Sequence, residues 1–337
     1  MMFQIDKNIR FLLDPGSARE LPDWTVLESM MKHHRFYHIL NDVLDRYPDD
    51  VPAGVQKRLK TGYHSQLRKQ LLLANELQYL AGKFRSANLD FISPKGTALA
   101  LQLYGDIGKR LTRDIDLLIR KEDIDRFLTL LNDEGYRIIR SEESKPERYF
   151  RQIKKNYTLI NREKNIITEL HWSLFSNRHF YPFEDRLASS PGMVRTGQNT
   201  IPTMNRENHF IYLILHGSLH EYFRLFWLRD IHEAVIRWDL DWDSIAKRAT
   251  KEDMQHILHS SLLLSSELFG TPSPLTGIHK DERAQKLARH IVKVINRSSQ
   301  PDWQDRFSRI GYFMGLKDDV PYKAECITGV FMRYFMR

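Results

Sequence analysis

A chain of 337 residues with 42% hydrophobic and 28% charged side chains can bury a substantial core, which excludes a largely disordered protein, and its length predicts two or three modules. One cysteine, Cys326, excludes an internal disulfide framework and a thiolate zinc cluster and fits a reducing compartment. Lys and Arg at 51 against Asp and Glu at 43 leave a net +8, which attracts a polyanion such as a nucleoside triphosphate or a nucleic acid without choosing between them.

The opening residues lack the charged start, apolar run and small-residue cleavage site of a signal peptide. No stretch approaches the roughly 18 consecutive apolar residues of a membrane span, so a soluble, cytoplasmic protein without a membrane partner is expected. The first zone, residues 1–87, reads as helical. Segments Asp23–His38 and Ile39–Tyr47 end at Pro48 and Pro52, and from Arg58 to Phe84 the positions Leu67, Leu71, Ala74, Leu77, Ala81 and Phe84 mark one apolar face.

The second zone, residues 88–180, turns to short β-rich runs alternating with helices. The expected order is strand Leu89–Ser93, helix Thr97–Tyr104, a glycine-bearing loop Gly105–Arg113, strand Ile115–Arg120, helix Ile124–Glu134 and strand Tyr136–Arg140. Runs Phe150–Ile160 and Ile166–Trp172 then flank a five-residue turn and predict a hairpin. A loop with Pro182, Pro191, Gly192 and Pro202 reads as a linker. The third zone, residues 200–337, is helical again, continuous from Asn205 to Trp238 and then broken at Gly270–Pro274, Gly277 and Pro301. The fold class is α+β: a small mixed sheet flanked by N-terminal and C-terminal helical regions.

Chemistry concentrates in the second zone. In the strand of Arg113-Asp-Ile-Asp-Leu-Leu-Ile-Arg120, side-chain alternation puts Asp114 and Asp116 on one face and Ile115, Leu117 and Ile119 on the other. Two carboxylates sharing a face repel unless a cation joins them, so a divalent metal with oxygen ligands, magnesium above all, fits the pair. By itself Asp-x-Asp also describes a strand with an acidic outer face. Upstream, Pro94-Lys95-Gly96-Thr97 sits between a strand and a helix. Glycine there admits a ligand close to the backbone, and the first helical N–H groups face an anion; the plain alternative is a strand-to-helix turn capped by Thr97. Downstream, Glu169 and His171 share a face of a later strand and bring a third carboxylate.

This order of Gly-Thr turn, helix, Asp-x-Asp strand and later acidic strand resembles the nucleotidyltransferase superfamily that includes DNA polymerase beta and kanamycin nucleotidyltransferase. Lys95-Gly96-Thr97-Ala98-Leu99, the basic loop ending in Arg110, Asp114-Ile115-Asp116-Leu117-Leu118 and Glu169-Leu170-His171-Trp172 look like an uncharacterised bacterial branch of it. The resemblance implies Asp114, Asp116 and Glu169 as catalytic carboxylates and ligands of two Mg²⁺ ions, with Glu169 either ligand or base. It implies Lys95, Gly96, Thr97, Arg110 and Arg113 as nucleotide-binding residues. The pattern departs from the commoner Gly-Gly or Gly-Ser turn in having a single glycine followed by threonine. The activity implied is transfer of a nucleoside monophosphate from an NTP such as ATP to a hydroxyl on a small molecule, a protein or RNA, with pyrophosphate released.

In the third zone His216 and His220 lie four apart on one helix face, and Arg224, Trp227 and Asp230 follow at helical spacing. Gly217 stands where a His-Glu-x-x-His protease needs glutamate, which argues against a zinc site. With His171, the residues His216, His220 and Asp230 are candidate contacts for acceptor or base. No P-loop and no Gly-x-Gly is present, so ATPase and dehydrogenase readings lose their usual support. The rival from another class is a catalytically inactive module of the same fold that binds nucleic acid or protein.

Overall fold

The computed structural model describes residues 3–17, 20–139, 151, 154–177, 179–197, 199–297 and 305–334. Its packing divides the chain into two compact units, each interrupted in sequence. One comprises Ser65–Arg178 and Phe183–His209, the other Met1–His64, His179–Pro182 and Phe210–Arg337.

In the helical unit, α1 (Lys7–Leu13), α2 (Trp24–His34) and α3 (Leu40–Arg46) come first, followed by the start of α4 (Ala53–Ser86), which is one continuous helix of 34 residues. Asp23 begins α2 by accepting the N–H groups of Thr25 and Val26, and Arg35 ends it in the left-handed conformation.

The sheet unit takes the rest of α4. Leu73, Leu77, Leu80, Ala81 and Phe84 line its buried face, while Leu71, expected on that face, is 55% exposed. Next come β1 (Phe91–Ile92), α5 (Gly96–Tyr104), β2 (Ile115–Ile119), α6 (Ile124–Asp133), β3 (Arg137–Ile138), β4 (Asn156–Asn161) and β5 (Ile166–His171). The five strands form one mixed sheet in the order β1-β2-β5-β4-β3, with β2 parallel to β5 and every other neighbour antiparallel. Alternation decides its two faces. Ile115, Leu117 and Ile119 of β2 join Leu170 of β5 and Tyr157 and Leu159 of β4 in a core closed by α4 and by Ile124, Phe127 and Leu131 of α6. The even-numbered positions of β2 and the odd-numbered ones of β5 face the other way.

Two strands are shorter than the sequence predicts: the run at 89–93 pairs only at Phe91 and Ile92, and β4 begins at Asn156 rather than Phe150. Expected elements within 140–150 lie outside the described residues. The proline-bearing stretch read as a linker is ordered instead. It holds α7 (Glu184–Ala188) and an antiparallel hairpin of β6 (Gly192–Thr196) and β7 (Asn199–Thr203). Pro202 sits on this two-stranded ribbon without needing an N–H for its pairing with Met193, and its carbonyl instead accepts the N–H of Ser93 at 2.8 Å.

From α8 (Arg206–Leu219) onward helices continue as α9 (Leu225–Arg237), α10 (Trp242–Lys251), α11 (Gln255–Phe269), α12 (Glu282–Ile295), α13 (Asp305–Leu316) and α14 (Val320–Tyr334). The stretch 205–238, read as one helix, is two. The break follows from Glu221 and Tyr222, both at positive φ, which fold the Tyr222 ring back so that its hydroxyl lies 2.7 Å from that of Ser261. A Cβ at Gly217 would stand 2.1 Å from that ring, so no side chain fits there. Among the described residues no helix is long and apolar enough to cross a membrane.

Candidate active site

The site is built on the polar face of the sheet unit, where β2 and β5 run side by side. Their register sets Asp116 directly opposite Glu169 and Leu118 opposite His171, so an acid from each strand and an imidazole share one small area. Asp116 is only 3% exposed. Its Oδ1 accepts from Lys95 Nζ at 2.8 Å and lies 3.1 Å from His171 Nε2, which is also 3.1 Å from Glu169 Oε2. The single nitrogen of His171 therefore bridges the two carboxylates, and its other nitrogen, Nδ1, is buried without a hydrogen-bond partner.

Gly96 opens α5 at φ +61, a conformation that favours glycine, and a Cβ on it would stand 3.6 Å from the carbonyl oxygen of Asp114. The glycine turn thus meets the aspartate loop backbone to backbone. First-turn N–H groups of a helix have no acceptor within it, so those of Gly96 and Thr97 are available to an anion beside Asp114.

The charges are unequal in their comfort. Burial raises the Asp114 carboxyl above its ordinary range and the neighbouring charge of Asp116 raises it further, with Lys95 and the Thr112 hydroxyl opposing. Burial pushes Asp116 up as well, but Lys95 and then His171 outweigh it and hold the group far below the usual carboxylate range. Glu169 is lowered first by its bond with His171. Lys155, next to β4, is lowered by burial and then by the charge of Lys95, and it donates to the Leu174 carbonyl at 3.1 Å.

Several positioning residues carry no signal in the sequence. Gln70 of α4 grips Thr112 by both backbone groups, donating to its carbonyl at 2.9 Å and accepting its N–H at 3.0 Å, and Thr112 Oγ1 bonds Asp114 Oδ1 at 3.2 Å. His209 ring nitrogens meet the Pro94 carbonyl at 2.8 Å and Gln102 Oε1 at 2.6 Å. Thr203 of β7 donates to the Ser93 carbonyl at 2.8 Å. These bonds hold both ends of the turn that presents Lys95 and Gly96. Nothing in the local spacing of Gln70, Thr203 or His209 announces them, because each acts on a backbone distant in sequence.

Of the residues singled out from sequence, Lys95, Gly96, Thr97, Asp114, Asp116, Glu169 and His171 come together here. Arg113 is exposed at the mouth of β2, whereas Arg110 is buried, its charge felt by His209. His216, His220 and Asp230 belong to the helical unit. There the imidazoles of His216 and His220 stand 4.6 Å apart, Trp227 stacks on His220 at 5.1 Å, and Asp230 is fully buried.

Among the described residues one group offers metal-ligand atoms within 4.8 Å of one another: Asp116, Glu169 and His171. Two carboxylates and an imidazole suit a divalent cation, and Asp114 beside them is raised first by burial and then by the charge of Asp116. The donor set fits a metal.

A mixed sheet with a glycine turn leading into a helix, and carboxylates on adjacent parallel strands beyond it, defines the class as nucleotidyltransferase-like. The chain belongs to the family described as "Uncharacterised nucleotidyltransferase", whose family model matches residues 20–270 and so spans both units. No curated protein matches the chain.

Proposed function

We propose that the protein is a Mg²⁺-dependent nucleotidyltransferase, transferring a nucleoside monophosphate from an NTP to a hydroxyl acceptor and releasing pyrophosphate. The observation that carries this reading is the register of Asp116 against Glu169 with Gly96 seated on the Asp114 carbonyl. It brings the phosphate-binding turn and the acids of two strands to one place.

Asp116 and Glu169 would hold the cation, with Asp114 and His171 completing its surroundings. When bound, a divalent cation neutralises charge on the triphosphate and favours departure of pyrophosphate. The protein supplies the remainder. The N–H groups opening α5 and the Lys95 ammonium receive phosphate oxygens, for which Lys95 turns from Asp116 to the substrate. Glu169, 29% exposed and less enclosed than Asp116, would alternatively serve as the base that takes the proton of the attacking hydroxyl. Arg113 at the rim offers a further cation to the donor.

The test is incubation of the purified protein with each labelled NTP, Mg²⁺ and a cell extract, reading both label transfer and pyrophosphate. Wild type should label an acceptor fraction, and Glu169→Gln should slow it by about 10²–10⁴-fold while still binding NTP. Absence of pyrophosphate and of label with all four NTPs overturns the proposal.

A further inference from the structure

We infer that the exposed face of α12 in the helical unit is a docking surface for single-stranded nucleic acid. The helix buries Ala284, Leu287, Ala288, Ile291, Val292 and Ile295 and turns Lys286, Arg289 and Lys293 to solvent. These three cations follow one another at three and four residues, so they lie on one face about 4.5 and 6 Å apart along the axis. Like charges at these spacings repel and weaken a helix.

Two acids stand against these three cations, Glu282 one turn ahead of Lys286 and Asp6, which caps α1 beside Arg289 and Lys293, and the other acids nearby are engaged elsewhere. Glu221 is taken by His290 at 2.7 Å and by Arg309 at 2.6 Å, and Asp318 by Arg283 at 2.6 Å and Lys323 at 3.4 Å. Among the described residues Lys286, Arg289 and Lys293 have no ion pair. Hollows lie on both sides of the helix. One, of about 350 Å³, has all three cations on its wall and runs along α13, with His290 stacked on Tyr312 at 4.6 Å. The other, of about 460 Å³, shares Arg289 and Lys293.

The occupant follows from what the face offers and what it lacks. Among the described residues none of the large exposed apolar side chains lies on it, and a protein interface or a membrane surface needs such anchors. A phosphate backbone needs only the row of cations. A hollow of about 350 Å³ admits a nucleotide but not the width of a duplex, which suits one strand. The inference does not depend on nucleotidyl transfer, and its test uses neither NTP nor metal.

The experiment is fluorescence polarisation of a labelled single-stranded RNA of about 16 nucleotides with the full chain in chelator, repeated across salt concentrations. The variant K286E/R289E/K293E should bind about tenfold or more weakly, and K286Q/R289Q/K293Q should lower the slope of log affinity on log salt by about 2. The control K57E/K60E/K251E makes the same charge change on other exposed lysines and should bind as wild type. Equal weakening by the control, loss of binding to the strand by wild type, tighter binding to a duplex of the same sequence, or equal displacement of the RNA by a polyglutamate peptide would each overturn the inference. Circular dichroism and melting of the glutamine variant separate lost binding from lost fold.

Discussion

Two buried acidic clusters in this molecule are built on opposite terms. In the helical unit Glu221 is one carboxylate between two bases, His290 and Arg309, and these hold it below its ordinary range against the upward push of burial. In the sheet unit three carboxylates, Asp114, Asp116 and Glu169, face Lys95 and His171. There Asp114 is raised, first by burial and then by the charge of Asp116, while Lys95 and then His171 hold Asp116 low. A cluster whose charges close on themselves serves the fold. One left acidic, with a backbone glycine turn against it, keeps repelling charges together and costs local stability.

The contrast breaks most visibly at the aspartate pair. Asp114→Asn should reduce nucleotidyl transfer about a hundredfold or more while leaving the melting temperature equal or higher, since it removes a repelling charge. Asp116→Asn should abolish transfer and also destabilise by about 3 kcal/mol, because Lys95 and His171 lose the acid between them. Equal melting shifts for the two variants would remove the distinction drawn here.

A smaller effect is due at the balanced cluster. Glu221→Gln should lower stability by about 2–3 kcal/mol in urea unfolding, with NTP turnover at low temperature unaltered. Turnover falling in step with Asp114→Asn would refute the division into structural and functional clusters.

The smallest and most gradual effect concerns acid. His34 is 1% exposed, its Nδ1 accepts the Leu225 N–H at 3.2 Å, and burial followed by the charges of His33 and Arg224 lowers it from 6.5 to about 3. The unfolded chain therefore binds a proton that the folded chain refuses between these values. Stability is full above about pH 6.5 and declines as pH falls toward 3, by on the order of a few kcal/mol. A His34→Gln variant should flatten that part of the stability profile; an unchanged slope would locate the acid sensitivity elsewhere.

How much was legible beforehand depended on the range of the forces involved. The α+β class, β2, α5, α6 and β5 follow from alternation and helical periodicity, which are properties of neighbouring residues. Asp114 and Asp116 as a pair, and Glu169 with His171, follow from the same period of two. The hairpin β6–β7 was hidden because Pro191, Gly192 and Pro202 mimic a linker, and only its bonds to Ser93 reveal it as a brace for the glycine turn. The break after Leu219 was hidden because its cause, the Tyr222 ring against Gly217, is a packing event rather than a helix-breaking residue.

The sequence by itself determined which side chains could face together on each strand, because the pleat allows no other choice. Tertiary structure alone decided that β5 lies beside β2 in parallel, in the register that sets Glu169 across from Asp116, with His171 shared between them. That pairing joins segments some fifty residues apart, and its register is settled by the fit of Leu117 and Leu170 into a common core on the far face. Which acid kept a cation was likewise decided by where Lys95 came to rest, 2.8 Å from Asp116.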